Sequence, residues 1–272
     1  MSGNGRSGGT GRASTVVRRR DIYELLLRNG AVNVSELADA FAVRTQTIRN
    51  DLDALQSEGK VVRSYGGAVV HSTFATSLPY SQTRATHSEE KALIGQAAVS
   101  YVPDTDSGAV YLNSGTTVYQ LATRFPSDRR IQVITNSPEI AAELSLRTMC
   151  RVTLLGGKIV ADALTTDISA SREFIERLYF PVAFLSCSGI DIERGITDID
   201  PCQAEGLGVI IEHSSHTVML CDSSKFGRIA HAAVGPVDLI DVLITDSGVD
   251  QDSVKHLRDA GVKVLVAGRE NG

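Results

Sequence analysis

Two kinds of hydrophobic periodicity divide this chain. In its first 70 residues the apolar positions recur at helical spacing. Ile48, Leu52 and Leu55, for example, lie at i, i+4 and i+7 and predict one buried stripe on a helix. From Ser88 onward, helical stretches alternate with apolar runs of about four to eight residues, which favour buried strands. The chain is therefore expected to form two domains of different fold class.

The N-terminal pattern predicts three helices and a hairpin. Residues 16–28 form the first helix, and Ser35 is expected to begin and cap the second. Ala42-Val43 then makes a tight turn into the third helix, and Lys60-Val61-Val62-Arg63 with Tyr65-Gly66-Gly67 supplies a short basic strand and a turn. Helix, short helix, tight turn, helix and basic wing is the order of a winged helix-turn-helix domain.

The C-terminal pattern predicts an open, mainly parallel α/β sheet, because apolar strands alternate there with helices. We place the domain boundaries at residues 15–70 and 88–272, with a disordered Gly/Ser-rich tail at 1–14 and a linker at 71–87. The expected strands are 108–112, 131–135, 151–155, 181–186, 216–221, 240–245 and 262–266, and the first three expected helices are 89–102, 116–125 and 138–147.

Composition excludes several classes of protein. No apolar run among the 272 residues reaches the length of a membrane span, and the N-terminus lacks the apolar core of a signal peptide. The four cysteines are far apart and are expected to be reduced thiols in a cytoplasmic protein. His213 and His216 are three residues apart, but no nearby Cys or third His completes a metal set. No cofactor is predicted.

The net charge of −5 is unevenly distributed, with +3 on residues 1–70 and −8 on residues 71–272. An acidic protein can still bind DNA if its positive charge is concentrated on one small domain. Arg18-Arg19-Arg20 and Lys60 with Arg63 are candidate phosphate contacts, and solvated surface charge is the alternative for each of them.

Candidate DNA contacts crowd the first turns of the third helix and the wing. A recognition helix presents its N-terminal residues to the major groove, where amide, hydroxyl and guanidinium groups bind base edges. An ordinary amphipathic helix would carry similar residues, but the helix-turn-helix order ahead of it favours recognition. The predicted contacts are Arg44, Thr45, Gln46, Thr47, Arg49, Asn50, Arg63 and Tyr65.

Polar loops follow five successive predicted strands of the second domain. Ligands of open α/β sheets bind beyond the carboxyl ends of the strands, so these loops predict a small-molecule site. Loop 113–117 places a glycine and hydroxyl residues at a helix N-terminus, which favours an anion. Turn residues with purely local roles are the alternative. The remaining loops are 135–137, 156–158, 188–197 and 222–227.

The N-terminal motif resembles that of the DeoR-type bacterial transcriptional regulators, which implies that this domain binds DNA. Two departures lie where DNA would be read. Arg44 replaces the usual capping Ser, so that Thr45 is expected to cap the helix, and Asn50 replaces the second of two Arg. The operator of relatives therefore cannot be carried over. The matching residues are Glu36-Leu37-Ala38, Phe41, Val43, Thr47-Ile48-Arg49, Asp51-Leu52, Leu55, Gly59, Arg63 and Gly66-Gly67-Ala68.

The second half resembles the sensor domain of the same family, which looks like a ribose-5-phosphate isomerase and responds mostly to phosphorylated sugars. The resemblance implies that Gly115, Thr116 and Thr117 hold phosphate, that Lys225 supplies a fixed positive charge, and that Asp191 accepts hydrogen bonds from sugar hydroxyls. The whole predicted effector set is Asn113, Gly115, Thr116, Thr117, Thr135, Asn136, Gly156, Gly157, Asp191 and Lys225.

Three departures from the family pattern touch this half. Asn113 replaces an Asp, segment 167–170 lacks the usual Gly, and Leu207 stands where the family has Lys. We hypothesise that the effector differs from the commonest sugar phosphates.

The most consistent interpretation is a DNA-binding transcriptional regulator, expected to be a repressor, whose affinity for operator DNA changes with a small phosphorylated metabolite. A sugar-phosphate isomerase would need a general base, for which Asp191, Glu193 and Asp222 are candidates without an evident partner. An interaction module without DNA binding is the third reading. Since one helix-turn-helix has a small footprint, a homo-oligomer assembled through the α/β domain is expected.

Overall fold

The computed structural model describes residues 15–29, 31–57, 60–64, 66–70, 80–104 and 108–268. The chain divides into two compact units, Met1–Ser72 and Thr73–Gly272. The expected tail at 1–14, most of the expected linker and Tyr65 lie outside the described residues.

The first unit has the predicted order of three helices and a wing. Its small sheet is antiparallel, with strand order β1-β3-β2. The elements are α1 (Thr15–Asn29), β1 (Ala31–Asn33), α2 (Val34–Ala40), α3 (Thr45–Ser57), β2 (Val61–Ser64) and β3 (Gly67–Val70). The winged helix-turn-helix prediction is confirmed.

The predicted apolar stripe of α3 forms the core of this unit. Ile48, Leu52 and Leu55 are buried, and they pack with Ile22 and Leu26 of α1. Because residues four and seven apart lie on one helical face, the spacing in the sequence was sufficient to identify this core.

The predicted caps were wrong by one or two residues. Asn33, not Ser35, caps α2: its Oδ1 accepts a hydrogen bond from the Ser35 backbone N–H at 2.8 Å. At the start of α3, the Arg44 carbonyl accepts the first helical bond, from the N–H of Thr47 at 2.8 Å. Thr45 is therefore already inside the helix, and the expectation that it caps α3 is not met.

The second unit has seven helices in its described residues. They are α4 (Tyr80–Ala85), α5 (Ser88–Ala98), α6 (Thr116–Ala122), α7 (Pro138–Arg147), α8 (Arg172–Ile175), α9 (Pro201–Glu212) and α10 (Gln251–Asp259). The expected linker at 71–87 contains helix α4 near its C-terminal end.

The strands of the second unit include every strand that the sequence predicted, with ends shifted by up to two residues. They are β4 (Ala109–Leu112), β5 (Gln132–Thr135), β6 (Arg151–Leu154), β7 (Ile159–Val160), β8 (Thr165–Thr166), β9 (Val182–Leu185), β10 (Gly189–Asp191), β11 (Gly195–Asp198), β12 (Thr217–Leu220), β13 (Ala232–Gly235), β14 (Val242–Thr245) and β15 (Lys263–Val266).

The main sheet is parallel and has seven strands in the order β15-β14-β12-β9-β4-β5-β6. The chain runs outward from β4 through β5 to β6 and then returns to the other side of β4 with β9. The neighbouring loops that follow β4 and β9 therefore lie at a topological switch point, which is where ligands of open α/β sheets bind.

Apolar layers cover both faces of this sheet. Successive residues of a strand point to opposite faces, so Val110 and Leu112 belong to one apolar cluster and Tyr111 to the other. Burial on both faces explains why these strands are continuous apolar runs in the sequence. Helices α5 and α6 approach closely at Gly95, where an added Cβ would lie 2.6 Å from the Gln120 carbonyl carbon.

A second, antiparallel sheet of order β10-β11-β13 and the hairpin β7-β8 were not predicted. Residues 188–197 were expected to be a strand-end loop, but most of them form the β10-β11 hairpin. β7 and β8 have two residues each, and β10, β11 and β13 have three or four residues with a glycine at one end. They therefore lack the continuous apolar run that identified the other strands.

Candidate functional site

The predicted DNA-contacting residues of α3 lie on its exposed face. Arg44, Thr45, Gln46, Arg49 and Asn50 are exposed, whereas Thr47 is half-buried. The opposite face holds the apolar stripe, so the polar residues near the start of the helix point away from the core. This separation is what a recognition helix requires.

Two amide side chains on this face form a pair. The Nε2 of Gln46 donates a hydrogen bond to Oδ1 of Asn50 at 3.0 Å, one helical turn along. The bond restricts the rotamers of both exposed side chains. Asn50 is the residue at which this chain departs from the family pattern.

Arg63, the predicted DNA contact of the wing, already has ion-pair and hydrogen-bond partners within the protein. Its Nε lies 3.1 Å from Oδ1 of Asp53, and its Nη1 donates to the Gly67 carbonyl at 3.1 Å. Its side chain is 26% exposed. Arg63 therefore connects α3 to the wing, and it has this structural role in addition to any contact with phosphate.

Arg18 and Arg19 were expected to contact phosphate, and for Arg18 this expectation is wrong. Its side chain is buried, and its Nε donates to Oδ2 of the buried Asp51 at 2.6 Å. Arg19 donates to the other oxygen of the same carboxylate at 3.0 Å. These bonds join α1 to α3, whereas Arg20 is exposed and pairs with Asp21.

In the second unit, the loops after β4 and β9 contact each other at the switch point. The Nδ2 of Asn113 donates to the Ser186 carbonyl at 3.3 Å, and the Ser186 hydroxyl donates to the Ser114 carbonyl at 3.1 Å. Gly115 has φ +134°, and a Cβ there would lie 2.3 Å from the Ser186 Oγ. The close approach of the two loops therefore requires glycine.

Five of the predicted effector contacts have buried side chains, and Asn113, which is 6% exposed, is one of them. Thr116 and Thr117 are 5% exposed, so from this helix start only backbone N–H groups are available to a ligand. Thr135 is fully buried, and its hydroxyl accepts the Ser137 N–H at 3.0 Å. Asn136 is also fully buried. Their burial supports roles in shaping the loops, and the ligand contacts expected of these residues stay predictions.

Asn136 is the centre of a buried hydrogen-bond network. Its Oδ1 accepts the Ser114 N–H at 2.8 Å, and its Nδ2 donates to Oε1 of Gln203 at 3.1 Å. Gln203 in turn donates to the Thr166 carbonyl at 3.2 Å, and the Thr166 hydroxyl donates back to the Asn136 carbonyl at 3.1 Å. The network fixes the loops after β4 and β5 against the start of α9.

Two further predicted contacts also have structural partners. The loop after β6 contains Gly156 and Gly157, and a Cβ on Gly157 would lie 1.8 Å from the Asp167 carbonyl oxygen. Asp191 lies at the tip of the β10-β11 hairpin, where its Oδ1 accepts the N–H groups of Glu193 at 3.0 Å and Arg194 at 2.9 Å. Asp191 therefore has a structural role in this turn, and its expected contact with sugar hydroxyls stays a prediction.

A group of charged side chains surrounds the loop after β12. Asp222 is buried at the start of the single turn Ser223–Lys225, and the Nζ of Lys91 lies 4.0 Å from its Oδ2. Burial raises the pKa of the Asp222 carboxyl, but Lys225, Lys91 and the Ser224 hydroxyl outweigh burial and lower that pKa below its ordinary value.

Two more charged residues face this loop, and neither was singled out from the sequence. Burial lowers the pKa of the Arg228 guanidinium, and the nearby Asp222 opposes that effect. Burial raises the pKa of Asp198, whose Oδ2 accepts the Ser188 hydroxyl at 3.2 Å. Lys91, Arg228 and Asp198 lie in separate parts of the sequence, and only the proximity of Arg228 to the predicted 222–227 loop could have indicated one of them.

We name the region formed by loops 113–115, 186–188 and 222–225 the strand-end site. The buried Cys187, in the second of these loops, has its Sγ 3.5 Å from that of the buried Cys221, and all four cysteines are free thiols. The hydrogen bond between the two thiols and burial raise the pKa of Cys187.

The described residues hold no cluster of three His, Cys, Asp or Glu side chains with the arrangement of metal ligands. Nδ1 of His213 lies 3.0 Å from the Leu178 carbonyl oxygen, and His216 is exposed. Over the same part of the chain, no helix has the length and apolar character needed to cross a membrane.

Comparison with known proteins covers both units. The DeoR-like helix-turn-helix domain profile matches residues 18–74, and the DeoR C terminal sensor domain profile matches residues 86–247. The helix-turn-helix regulator YulB of Bacillus subtilis (strain 168), described as uncharacterized, is 35% identical over 91% of this chain and 95% of its own. The glycerol-3-phosphate regulon repressor of Escherichia coli (strain K12) is 29% identical over 91% of this chain and 97% of its own.

Ribose 5-phosphate isomerase A from Neisseria gonorrhoeae overlaps 52% of this chain and 54% of its own, with 15% sequence identity and a TM-score of 0.36. An overlap this limited assigns neither fold nor function. The two profile matches and the level of identity to YulB are decisive: the chain belongs to the DeoR family and is a DNA-binding transcriptional regulator with a C-terminal sensor domain.

Proposed function

We propose that this regulator is a repressor whose affinity for operator DNA changes when a small phosphorylated metabolite binds at the strand-end site. The observation that carries the proposal is the charge around Asp222. Three cations, Lys91, Lys225 and Arg228, interact with this one buried carboxylate. A group of cations beside a loop at the end of a parallel strand favours the binding of an anion.

The position of the site supports the same proposal. It lies at the switch point of the sheet, where loops from both sides converge. We assign direct contacts with the ligand to Lys225, Arg228 and the backbone N–H groups around Gly115. The E. coli relative named for the glycerol-3-phosphate regulon supports a phosphorylated ligand class.

The ligand itself is proposed to differ from the commonest sugar phosphates. Leu207, which stands where the family has Lys, is buried in the apolar core, so this chain lacks one cation of the usual pattern. A thermal-shift screen tests this, because a ligand that binds only the folded state raises its stability. Large stabilisation by a common hexose or pentose phosphate would contradict the proposal.

We further propose that the sensor domain binds its ligand without converting it. Of the candidate general bases, Asp191 is held in its own turn, Glu193 is exposed, and Asp222 has a lowered pKa. A general base works best with a pKa near the operating pH. Turnover of ribose 5-phosphate by the purified protein would overturn this assignment.

The regulator is proposed to act as a cytoplasmic homo-oligomer on repeated half-sites, because one recognition helix has a small footprint. The direct test of function is a mobility shift of the full-length protein on its own upstream promoter DNA, with non-specific competitor and fixed salt. A specific shift that phosphorylated metabolites reverse supports the proposal. A protein that binds no nearby promoter would contradict it.

Gln46 is proposed to read adenine. A glutamine amide can accept from adenine N6 and donate to N7, and Asn50 holds the Gln46 amide in place. Replacing Gln46 by Ala should weaken operator binding by about 1–3 kcal/mol. Fluorescence anisotropy on operator DNA measures the loss. Gln56→Ala, an exposed position near the end of the same helix, is the control, and equal affinity of the two variants would exclude Gln46 as a base contact.

Lys225 is proposed to supply the fixed charge for the ligand. Replacing Lys225 by Ala should leave operator affinity unchanged and remove most of the effector response, which is typically about 5–150-fold in affinity. The measurement is operator affinity with and without the effector. Lys255→Ala, on the exposed face of α10, is the matched control. A Lys225→Ala protein that responds normally would remove this residue from the site.

A further inference from the structure

Helix α4 is joined to one side of the strand-end site through α6 and α7. Tyr80 and Arg84 both donate hydrogen bonds to the carboxylate of Glu139, in the first turn of α7. The Arg84 guanidinium also lies 4.6 Å from the centre of the Tyr119 ring on α6. Because α6 begins directly after Gly115, these contacts connect α4 to the loop that follows β4.

Lys91 of α5 joins α4 to the opposite side of the site. Its Nζ donates to the carbonyls of Thr83, in α4, and of Thr86, just after it, the latter at 2.7 Å. The same Nζ lies 4.0 Å from Oδ2 of Asp222, in the loop that carries Lys225. Lys91 is 2% exposed, so these groups replace the water that its charge has lost.

The charge balance makes this connection sensitive to a ligand. Burial lowers the pKa of Lys91 to about 8, and the Asp222 carboxylate opposes that effect. Lys225 also interacts with Asp222. An anion that draws Lys225 away from Asp222 leaves Lys91 as the main cation that compensates this carboxylate. Because Lys91 also binds the carbonyls of Thr83 and Thr86, its position determines the position of the turn that ends α4.

We propose that α4 transmits the state of the strand-end site, and that Lys91 is the positioning residue that couples Asp222 to it. This rests on the proposed function of the site. In the sequence, α4 follows segment 71–79, which itself follows the last strand of the wing. Along the chain, α4 is therefore the first described helix of the second unit after the wing. Coupling requires only that the ligand favour one position of α4 over another.

A ligand-free experiment tests the connection itself. Hydrogen exchange is measured by mass spectrometry on the full chain for wild type, Asp222→Asn, Lys91→Met and the double variant. Asp222→Asn should increase hydrogen exchange in residues 80–87 several-fold. In a protein that already carries Lys91→Met, the same substitution should increase that exchange only slightly. Exchange in β4 and β9 reports whether the fold persists. Unchanged exchange of residues 80–87 in a folded Asp222→Asn protein would overturn the proposal.

A second arm measures coupling to DNA with sn-glycerol 3-phosphate and inorganic phosphate as probes. Lys91→Met should lose the probe-induced change in the affinity for promoter DNA. Lys91→Arg should restore part of it, and Lys255→Met is the surface control. Full response in Lys91→Met overturns the role of Lys91. A wild-type protein that ignores both probes counts against the proposed ligand class, while the exchange experiment still decides the connection.

Discussion

Replacing Asp51 by Asn is expected to destabilise the first unit by about 3–5 kcal/mol, the usual effect of removing one partner from a buried ion pair. The Asp51 side chain is 2% exposed and accepts hydrogen bonds from Arg18 at 2.6 Å and Arg19 at 3.0 Å. Without its charge, the buried guanidinium of Arg18 has no compensation. Since these bonds hold α3 against α1, DNA binding should fall together with stability.

Hydrogen exchange of the α1 and α3 amides in the full-length protein measures this loss separately from the stability of the second unit. Asp53→Asn is the matched control on the same helix. The side chain of Asp53 is 61% exposed and pairs with Arg63, so its loss should cost no more than about 1 kcal/mol. Equal protection of α1 and α3 in the two variants would show that the buried pair does not anchor the recognition helix.

Replacing Gly157 by Ala is expected to destabilise the second unit by roughly 2–6 kcal/mol. About 1–3 kcal/mol comes from overpacking and about 1–3 kcal/mol from strained backbone. The new Cβ would lie 1.8 Å from the Asp167 carbonyl oxygen, and the residue has φ +156°. A backbone atom cannot move aside as the end of a flexible side chain can, so the loop after β6 must shift.

Urea unfolding followed by circular dichroism measures the difference between the variants. Gly156→Ala is the control beside it, because an added Cβ there meets nothing within 4 Å. The control should remain close to wild type in stability. Similar midpoints for the two variants would contradict the proposed clash.

The sequence predicted the elements well where a long segment had one periodicity. The stripe of Ile48, Leu52 and Leu55 and the apolar strands around Val110 are both buried as expected, because a fixed period places the apolar residues on one face or on both. It failed at β7 and β8, which have two residues each, and at the sheet β10-β11-β13, whose strands contain a glycine and lack a continuous apolar run.

The site was predicted less completely than the fold. The sequence correctly placed polar loops at the ends of parallel strands, but it could not separate residues that face a ligand from residues that hold the loops together. Asn136 and Thr135 are fully buried, and Asp191 binds its own turn. A polar side chain in a motif can form hydrogen bonds with the backbone of a neighbouring loop as easily as with a ligand. The sequence does not distinguish these two roles.

By itself, the sequence determined the order of the winged helix-turn-helix elements and of the main-sheet strands, the family, and the face of α3 that is exposed. Only the tertiary structure showed that Arg18 is buried against Asp51, and that Lys91 and Arg228 both interact with Asp222. The physical reason is that periodicity depends on near neighbours along the chain. Burial, desolvation and the partners of a charge depend on residues far apart in sequence, which only the folded chain brings together.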